Sequence, residues 1–132
     1  MTTIIIVDDE AEILTPLEQM LNDEGYVVKS FSSSLSAQAH LKDHSADLAI
    51  FDIKMPELDG FSLLKSVRSH RPNLPIVFLS SKAEEQDQII GFTLGADDYI
   101  TKPFSKHLLL FRVAAVLRRH SEPDQYLSLI HI

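Results

Sequence analysis

The chain has 132 residues, of which 45% are hydrophobic and 23% charged, the proportions of one ordinary globular domain. Its 12 basic and 19 acidic residues give a formal net charge of −7, which argues against nucleic acid or an anionic membrane as a partner of this domain. With no cysteine, a disulfide framework, a thiol nucleophile and a Cys-ligated zinc site are excluded.

Five short apolar runs along the chain predict five β-strands. They are rich in β-branched and aromatic residues, as strands buried on both faces of a parallel sheet are. The runs are Ile4–Val7, Tyr26–Val28, Leu48–Phe51, Ile76–Leu79 and Tyr99–Ile100. The segments between them are too long for hairpin turns and suit parallel crossovers, which usually contain a helix. We therefore predict an α/β fold with helices between the strands.

Helical patterns occur in the segments between the strands and after the last one. Apolar residues recur at helical spacing after Asp59-Gly60 and again in a last helix that ends at Arg118-Arg119. The core-facing residues of these two helices are Phe61, Leu64 and Val67, and Leu109, Val113, Val116 and Leu117. Helices 2 and 4 are expected around residues 35–42 and 84–94, and Gly25 and Gly95 stand where helices 1 and 4 would end.

The start of helix 1 is ambiguous in the sequence. Thr15-Pro16-Leu17-Glu18 has the form of a capping box with proline at the first helical position. However, Ile13 and Leu14 already belong to the apolar face of the same helix. Either the helix starts late, at this box, or it starts early and Pro16 bends its first turn.

Chemically reactive side chains follow four of the five predicted strands. Asp8 and Asp9 follow strand 1, Asp52 follows strand 3, Ser80 follows strand 4 and Lys102 follows strand 5. Taken singly, each has an ordinary interpretation as a helix cap or a turn residue. Together they lie at the carboxyl edge of the sheet, where open α/β sheets bind ligands.

This set of residue types predicts phosphoryl chemistry. If strands 1 and 3 are neighbours, three carboxylates crowd one crevice, and a divalent cation such as Mg²⁺ would relieve their repulsion. A carboxylate can also attack phosphorus and form an aspartyl phosphate. Lys102 would then neutralise phosphoryl oxygens, and the Ser80 hydroxyl would donate a hydrogen bond to one of them.

Four motifs of the chain occur across about residues 3 to 120. They are Val7-Asp8-Asp9-Glu10, Asp52 to Gly60 (DIKMPELDG), Leu79-Ser80-Ser81-Lys82 and Gly95 to Phe104 (GADDYITKPF). In sequence and order they resemble the motifs of the response-regulator receiver domain of two-component signalling. The resemblance implies a flavodoxin-like, doubly wound parallel sheet of five strands in the order 2-1-3-4-5, with five helices. It covers residues 1–120 as one receiver domain and leaves 121–132 as a linker, a tail or the start of a missing effector domain.

The resemblance also implies the role of each site residue. Asp52 would be the phosphoacceptor, and Mg²⁺ or Mn²⁺ would be bound by Asp8, Asp9, Asp52 and the backbone carbonyl of Lys54. Lys102, which precedes a cis peptide bond to proline in this family, would pair with the phosphoryl group.

Ser80 and Tyr99 would be the switch pair, in which the hydroxyl moves towards the phosphoryl group and the ring turns inward. The phosphodonor would be a sensor histidine kinase or a phosphotransfer protein. The chain would then catalyse its own phosphorylation and dephosphorylation rather than act as an enzyme on a free substrate.

The C-terminal third most resembles the subfamily whose receivers carry a winged-helix DNA-binding effector and dimerise through helix 4, strand 5 and helix 5. In that face Asp98 and Arg112 match a charged pair, whereas Leu108 and Phe111 depart from the usual residues. Those two side chains either form an exposed apolar patch for a partner or pack under the tail.

Two other functions are also consistent with the sequence. A stand-alone receiver in a phosphorelay fits if nothing follows Ile132, and a small phosphohydrolase with an aspartyl nucleophile is a less favoured alternative. The chain has no run near the ~20 apolar residues of a spanning helix and no charged segment before its first apolar run. We therefore expect a cytoplasmic protein without membrane contact.

Overall fold

A computed structural model describes residues 1–81 and 85–121 of the chain, with side chains except at Glu85 and Ser121. Strands and helices alternate throughout. The strands are β1 (Thr3–Val7), β2 (Val27–Phe31), β3 (Leu48–Phe51), β4 (Ile76–Ser80) and β5 (Asp98–Thr101). The helices are α1 (Ala11–Asp23), α2 (Ser34–Asp43), α3 (Gly60–Arg68), α4 (Glu85–Thr93) and α5 (Lys106–Ser121).

The five strands form one parallel sheet in the order β2-β1-β3-β4-β5. The sheet order, the number of strands and the five helices are therefore as predicted. Val7 at the end of β1 pairs with Phe51 at the end of β3, so that the residues after these two strands lie side by side. The positions of Asp8 and Asp52 relative to each other depend on this register.

Two apolar layers cover the two faces of the sheet, because successive side chains of a strand point to opposite faces. One cluster joins strand residues such as Ile5 and Phe51 to helices α2 and α3, and the other joins Ile4 and Ile50 to helices α1 and α5. Leu109, Val113 and Val116 of α5 are all fully buried, as their spacing predicted.

The first helix starts early, so the sequence alternative in which it begins at Thr15 is wrong. The Glu10 carbonyl accepts hydrogen bonds from the amides of Ile13 and Leu14, which closes the first turn at Leu14, two residues before Pro16. Leu14 is buried against the sheet, and its burial favours the early start. Pro16 lies inside the helix on its exposed side.

Gly60, the first residue of α3, permits a close approach between that helix and the site. A Cβ at this position would lie 2.3 Å from the backbone oxygen of Asp52. The Gly60 amide donates to the Ile53 carbonyl at 2.8 Å. Gly25 and Gly95 have φ values of 92° and 101°, in keeping with their predicted positions after helices.

Candidate functional site

Asp8 and Asp52 occupy neighbouring positions at the carboxyl edge of the sheet. The Asp52 amide donates to the Val7 carbonyl at 2.9 Å, and the Asp8 amide donates to the Phe31 carbonyl at 3.1 Å, so that each residue extends the pairing of its strand. Both carboxylates are buried, with Asp52 only 4% exposed. Parallel pairing of β1 with β3 therefore fixes two acids beside each other.

Four carboxylates converge at this edge. Asp8, Asp9, Glu10 and Asp52 each offer an oxygen, and these oxygens lie within 4.8 Å of one another. Asp8 accepts the Glu10 amide and Asp52 accepts the Ile53 amide, each at 2.9 Å, which orients the two buried carboxylates. Asp9 and Glu10 are exposed. The structure thus brings together the three predicted acids and adds Glu10.

The surroundings of Asp52 disfavour its charged form. Burial, and after it the negative charge of Asp8, raises the pKa of Asp52 to about 6. Lys102 and the Ile53 amide act in the opposite direction but do not outweigh these two causes. The site therefore carries more negative charge than its own lysine neutralises.

Among the described residues, Lys102 is the cation that forms ion pairs with these carboxylates. Its ammonium lies 2.8 Å from Asp8, 3.1 Å from Glu10 and 3.6 Å from Asp52. Its amide donates to the Ser80 carbonyl at 2.9 Å, and the following peptide bond to Pro103 is cis. Burial alone would lower the pKa of Lys102, but the carboxylates around it outweigh burial and raise it.

Ser80 and Tyr99 lie on adjacent strands next to this cluster. Ser80 is the last residue of β4, and Tyr99 is buried on β5 opposite Phe78. Burial, with the charge of Asp87, raises the pKa of the Tyr99 hydroxyl, while a hydrogen bond with the Ser80 side chain opposes this rise. Both side chains are therefore buried, and the Tyr99 ring lies inside the core.

A cleft of about 490 Å³ opens beside Asp52. Its lining includes Asp9, Glu10, Lys54 and Met55. The Lys54 side chain is exposed, and the role of its carbonyl as a metal ligand stays a prediction. Glu10 is not among the site residues predicted from the sequence, although it is the third consecutive acid after a predicted strand.

The donor set of the cleft suits a hard divalent cation. All four converging groups are carboxylates, and Mg²⁺ prefers oxygen ligands of this kind. A cation would also relieve the repulsion between Asp8 and Asp52 that remains in the presence of Lys102. The residues present therefore fit a divalent cation of the kind that the sequence predicted.

The surface formed by α4, β5 and α5 carries several exposed apolar side chains. Leu108 and Phe111 of α5 are 46% and 69% exposed in the described part of the chain, while the tail that was the alternative cover lies outside it. Ile89 and Phe92 of α4 are also exposed. None of the helices in residues 1–81 and 85–121 is long and apolar enough to cross a membrane.

Comparison with known proteins identifies the class of this fold and site. The family model of the response regulator receiver domain matches residues 4–114. The chain belongs to this family. A crystal structure of a CheY-like receiver domain protein from Methanospirillum hungatei superimposes with a TM-score of 0.89 at 30% identity, covering 94% of this chain and 99% of that one.

The curated relatives are longer proteins. The transcriptional regulatory protein GltR of Pseudomonas aeruginosa is 44% identical over 119 residues, which are 89% of this chain and 49% of GltR. The alkaline phosphatase synthesis transcriptional regulatory protein PhoP of Bacillus subtilis is 41% identical over 116 residues, 88% of this chain and 48% of PhoP. The chain thus spans about half the length of these relatives.

Proposed function

We propose that the chain is a phosphorylation-activated signalling switch in which Asp52 accepts a phosphoryl group from a sensor histidine kinase or a phosphotransfer protein. The observation that carries this proposal is the position of Asp52: it is buried, it borders an open cleft, and it lies among carboxylates with the Lys102 ammonium 3.6 Å away. A nucleophile, a cation for the phosphoryl oxygens and metal-binding acids therefore share one cleft.

The transfer exchanges one bond for another. A deprotonated oxygen of Asp52 forms a bond to phosphorus as the bond from phosphorus to the donor's histidine nitrogen breaks. The imidazole ring, which carries a proton on its other nitrogen, leaves with the electron pair and is neutral once released. Catalysis of such a loose transfer is mainly positioning and charge neutralisation, which Lys102 and the Ser80 hydroxyl provide from fixed strand ends.

Asp8, Asp9, Asp52 and the Lys54 carbonyl would hold Mg²⁺ or Mn²⁺, which supplies further charge neutralisation for the phosphoryl oxygens. Hydrolysis of the aspartyl phosphate then restores the carboxylate. The chain thus catalyses its own modification and its reversal, and does not turn over a free substrate.

The contacts of Ser80 and Tyr99 support a route from the site to the α4-β5-α5 surface. Phosphorylation would draw the Ser80 hydroxyl away from Tyr99 towards the phosphoryl group. The Tyr99 ring packs against Phe78, and a Cβ added to Gly91 of α4 would lie 3.4 Å from the Tyr99 ring. Because the ring lies so close to α4, a shift of the ring would change its contact with that helix. The output would be a change in the population of conformations of this surface.

The output step would be regulation of transcription, through an effector domain that residues 1–120 control. The names and the greater length of the relatives support this step. Residues 121–132 would be the linker, tail or first part of that effector, and the protein would act in the cytoplasm. A stand-alone receiver in a phosphorelay is the second candidate, and it is supported by the crystallised chain of the Methanospirillum hungatei receiver domain protein, 99% of which this chain covers.

The α4-β5-α5 surface would bind a second copy of the chain in the phosphorylated state. Exposed Leu108 and Phe111 support this interface. Arg112 lies 3.2 Å from Asp98 of the same chain, so this pair would have to exchange partners to act between chains. Analytical ultracentrifugation with and without acetyl phosphate should show phosphorylation-dependent dimers that Phe111→Ser abolishes; a monomer in both states would refute this interface.

The proposed reaction is tested by incubation with acetyl phosphate and Mg²⁺, followed by intact mass measurement. One phosphoryl group should be added to the wild type and to Asp59→Asn, and none to Asp52→Ala. Asp59 is an exposed N-cap seven residues away and serves as the matched acid. Unmodified wild type, or steady turnover of a free phosphate ester, would contradict the proposal and favour the phosphohydrolase alternative.

A further inference from the structure

The Lys102 ammonium lies closer to two other acids than to Asp52. It donates to Asp8 at 2.8 Å and to Glu10 at 3.1 Å, whereas Asp52 is 3.6 Å away. In this arrangement the lysine is displaced from the residue that receives the phosphoryl group. The two acids that hold it come from the same loop, at the start of α1.

Glu10 has no evident structural task for its side chain. The residue is the N-cap of α1, yet its carboxylate makes no capping hydrogen bond, and the side chain is 49% exposed. Among the described residues, the ion pair recorded for this carboxylate is the one with Lys102. A half-exposed acid with this single ionic contact serves the lysine rather than the core.

We propose that Glu10 is a positioning residue that holds the Lys102 ammonium on the Asp8 side of the cleft until Asp52 is phosphorylated, and so slows the phosphorylation reaction. The inference rests on the proposed function of Asp52. It assigns a kinetic role to an acid outside the set that the sequence predicted.

The charges explain the direction of the effect. When the Asp52 oxygen forms its bond to phosphorus and acetate or imidazole leaves, the negative charge beside Asp52 increases and attracts the ammonium. Glu10 then loses its partner and faces the phosphoryl group as a like charge. Because Glu10 favours the state before transfer and disfavours the state after it, its removal should accelerate transfer.

The first test compares Glu10→Gln with Glu12→Gln under acetyl phosphate and saturating Mg²⁺. Glu12 is an exposed acid in the first turn of α1 and controls for the loss of one negative charge near the cleft. Glu10→Gln should react about two- to fivefold faster than the wild type, the factor expected for a half-exposed ion pair. Glu12→Gln should react at the wild-type rate, and the Mg²⁺ concentration giving half the maximal rate should be the same in all three.

The second test needs neither metal nor phosphoryl donor. Trace labelling with acetic anhydride, followed by peptide mass spectrometry, measures how available the Lys102 amine is. Its side chain is 9% exposed and bonded to carboxylates, so labelling should be slow in the wild type and in Glu12→Gln. Glu10→Gln should label several times faster at Lys102, with Lys42 and Lys65, two exposed lysines, unchanged as internal references.

The reaction rates, the labelling of Lys102 and the Mg²⁺ requirement distinguish the possible roles of Glu10. Equal rates and equal labelling in Glu10→Gln and the wild type would overturn the inference, as would equal acceleration in both variants. A higher Mg²⁺ requirement in Glu10→Gln with no acceleration would make Glu10 a metal ligand instead. If the wild type takes no phosphoryl group at all, the proposed function fails, and the labelling result alone still decides whether Glu10 restrains Lys102.

Discussion

At the carboxyl edge of the sheet four carboxylates converge, and the Lys102 ammonium lies within 3.6 Å of three of them, whereas at the amino edge the described charged groups around Asp97 are matched. Arg68 at the end of α3 donates to the carbonyls of Arg71, Leu74 and Gly95, and lies 3.9 Å from Asp97. Asp97 in turn accepts the Ile76 amide at 2.9 Å and contacts His120 at 2.7 Å. The same fold thus carries one edge with excess charge and one with balanced charge.

This difference distinguishes a candidate functional site from a set of contacts that stabilise the fold. At the amino edge each charge has partners that hold together the ends of α3 and α5 and the starts of β4 and β5, which stabilises the fold. At the carboxyl edge the charged form of Asp52 is disfavoured by burial and by Asp8, so the carboxylate lowers the stability of the fold. Buried groups of this kind are typical of functional sites. Removal of one charge from each edge should therefore have opposite effects on stability.

The largest effect is expected for Asp52→Asn in metal-free buffer. Since the pKa of Asp52 is raised to about 6, loss of its charge should increase the free energy of unfolding by about 2 kcal/mol at pH 8. Urea titration measures this change. Asp59→Asn is the control: asparagine caps a helix as well as aspartate does, so its change should stay within about 0.5 kcal/mol.

The Asp52→Asn difference should also depend on pH. The folded pKa of about 6 lies above the value of about 3.9 in an unfolded chain, so folding strengthens proton binding at this group. The destabilisation by the carboxylate is therefore full above the folded pKa and disappears as the pH falls towards the unfolded pKa. Urea titrations should show the two proteins converging in stability near pH 4, and a constant difference would contradict this origin.

The balanced edge predicts the opposite sign. Arg68→Ala removes hydrogen bonds to three carbonyls that join α3 to the β4 and β5 loops, and should lower the free energy of unfolding by about 2 kcal/mol. Arg119→Ala removes an exposed arginine from the same edge and should change it by less than about 0.5 kcal/mol. Equal losses in the two variants would mean that general charge, not the Arg68 contacts, stabilises this edge.

The residues that meet at the carboxyl edge are easier to predict from the sequence than those that meet at the amino edge, for a physical reason. Asp8, Asp9, Asp52 and Lys102 each follow an apolar strand, and parallel strands bring such positions to one edge whatever the helices do. The contacts of His120 with Asp97 depend on where the last turn of α5 meets the start of β5, which residue spacing along the chain does not encode.

The role of Glu10 and the start of α1 also depend on tertiary contacts that residue spacing along the chain does not encode. Which acid of a consecutive run reaches Lys102 depends on side-chain direction after the strand has ended, where the alternation of faces no longer applies. The first turn of α1 forms because Leu14 is buried on the sheet, a tertiary contact that outweighed the local preference of the Thr15 box.

The smallest predicted effect is the response of the two edges to Mg²⁺. A cation that binds the folded carboxyl edge at ten times its dissociation constant should stabilise the wild type by about 1.4 kcal/mol, or roughly 5 °C in melting temperature. Calorimetry at constant ionic strength measures this shift. Arg68→Ala should keep the full shift, because its edge is distant from the acids, whereas Asp9→Asn should lose most of it.

An equal shift in Asp9→Asn would mean that Mg²⁺ acts on the overall charge of −7 rather than on the carboxyl edge. NaCl distinguishes these cases, since general screening responds to ionic strength and not to the identity of the ion. A shift that needs Mg²⁺ and Asp9 but not Arg68 would make the excess charge of the carboxyl edge the specific cause of cation binding.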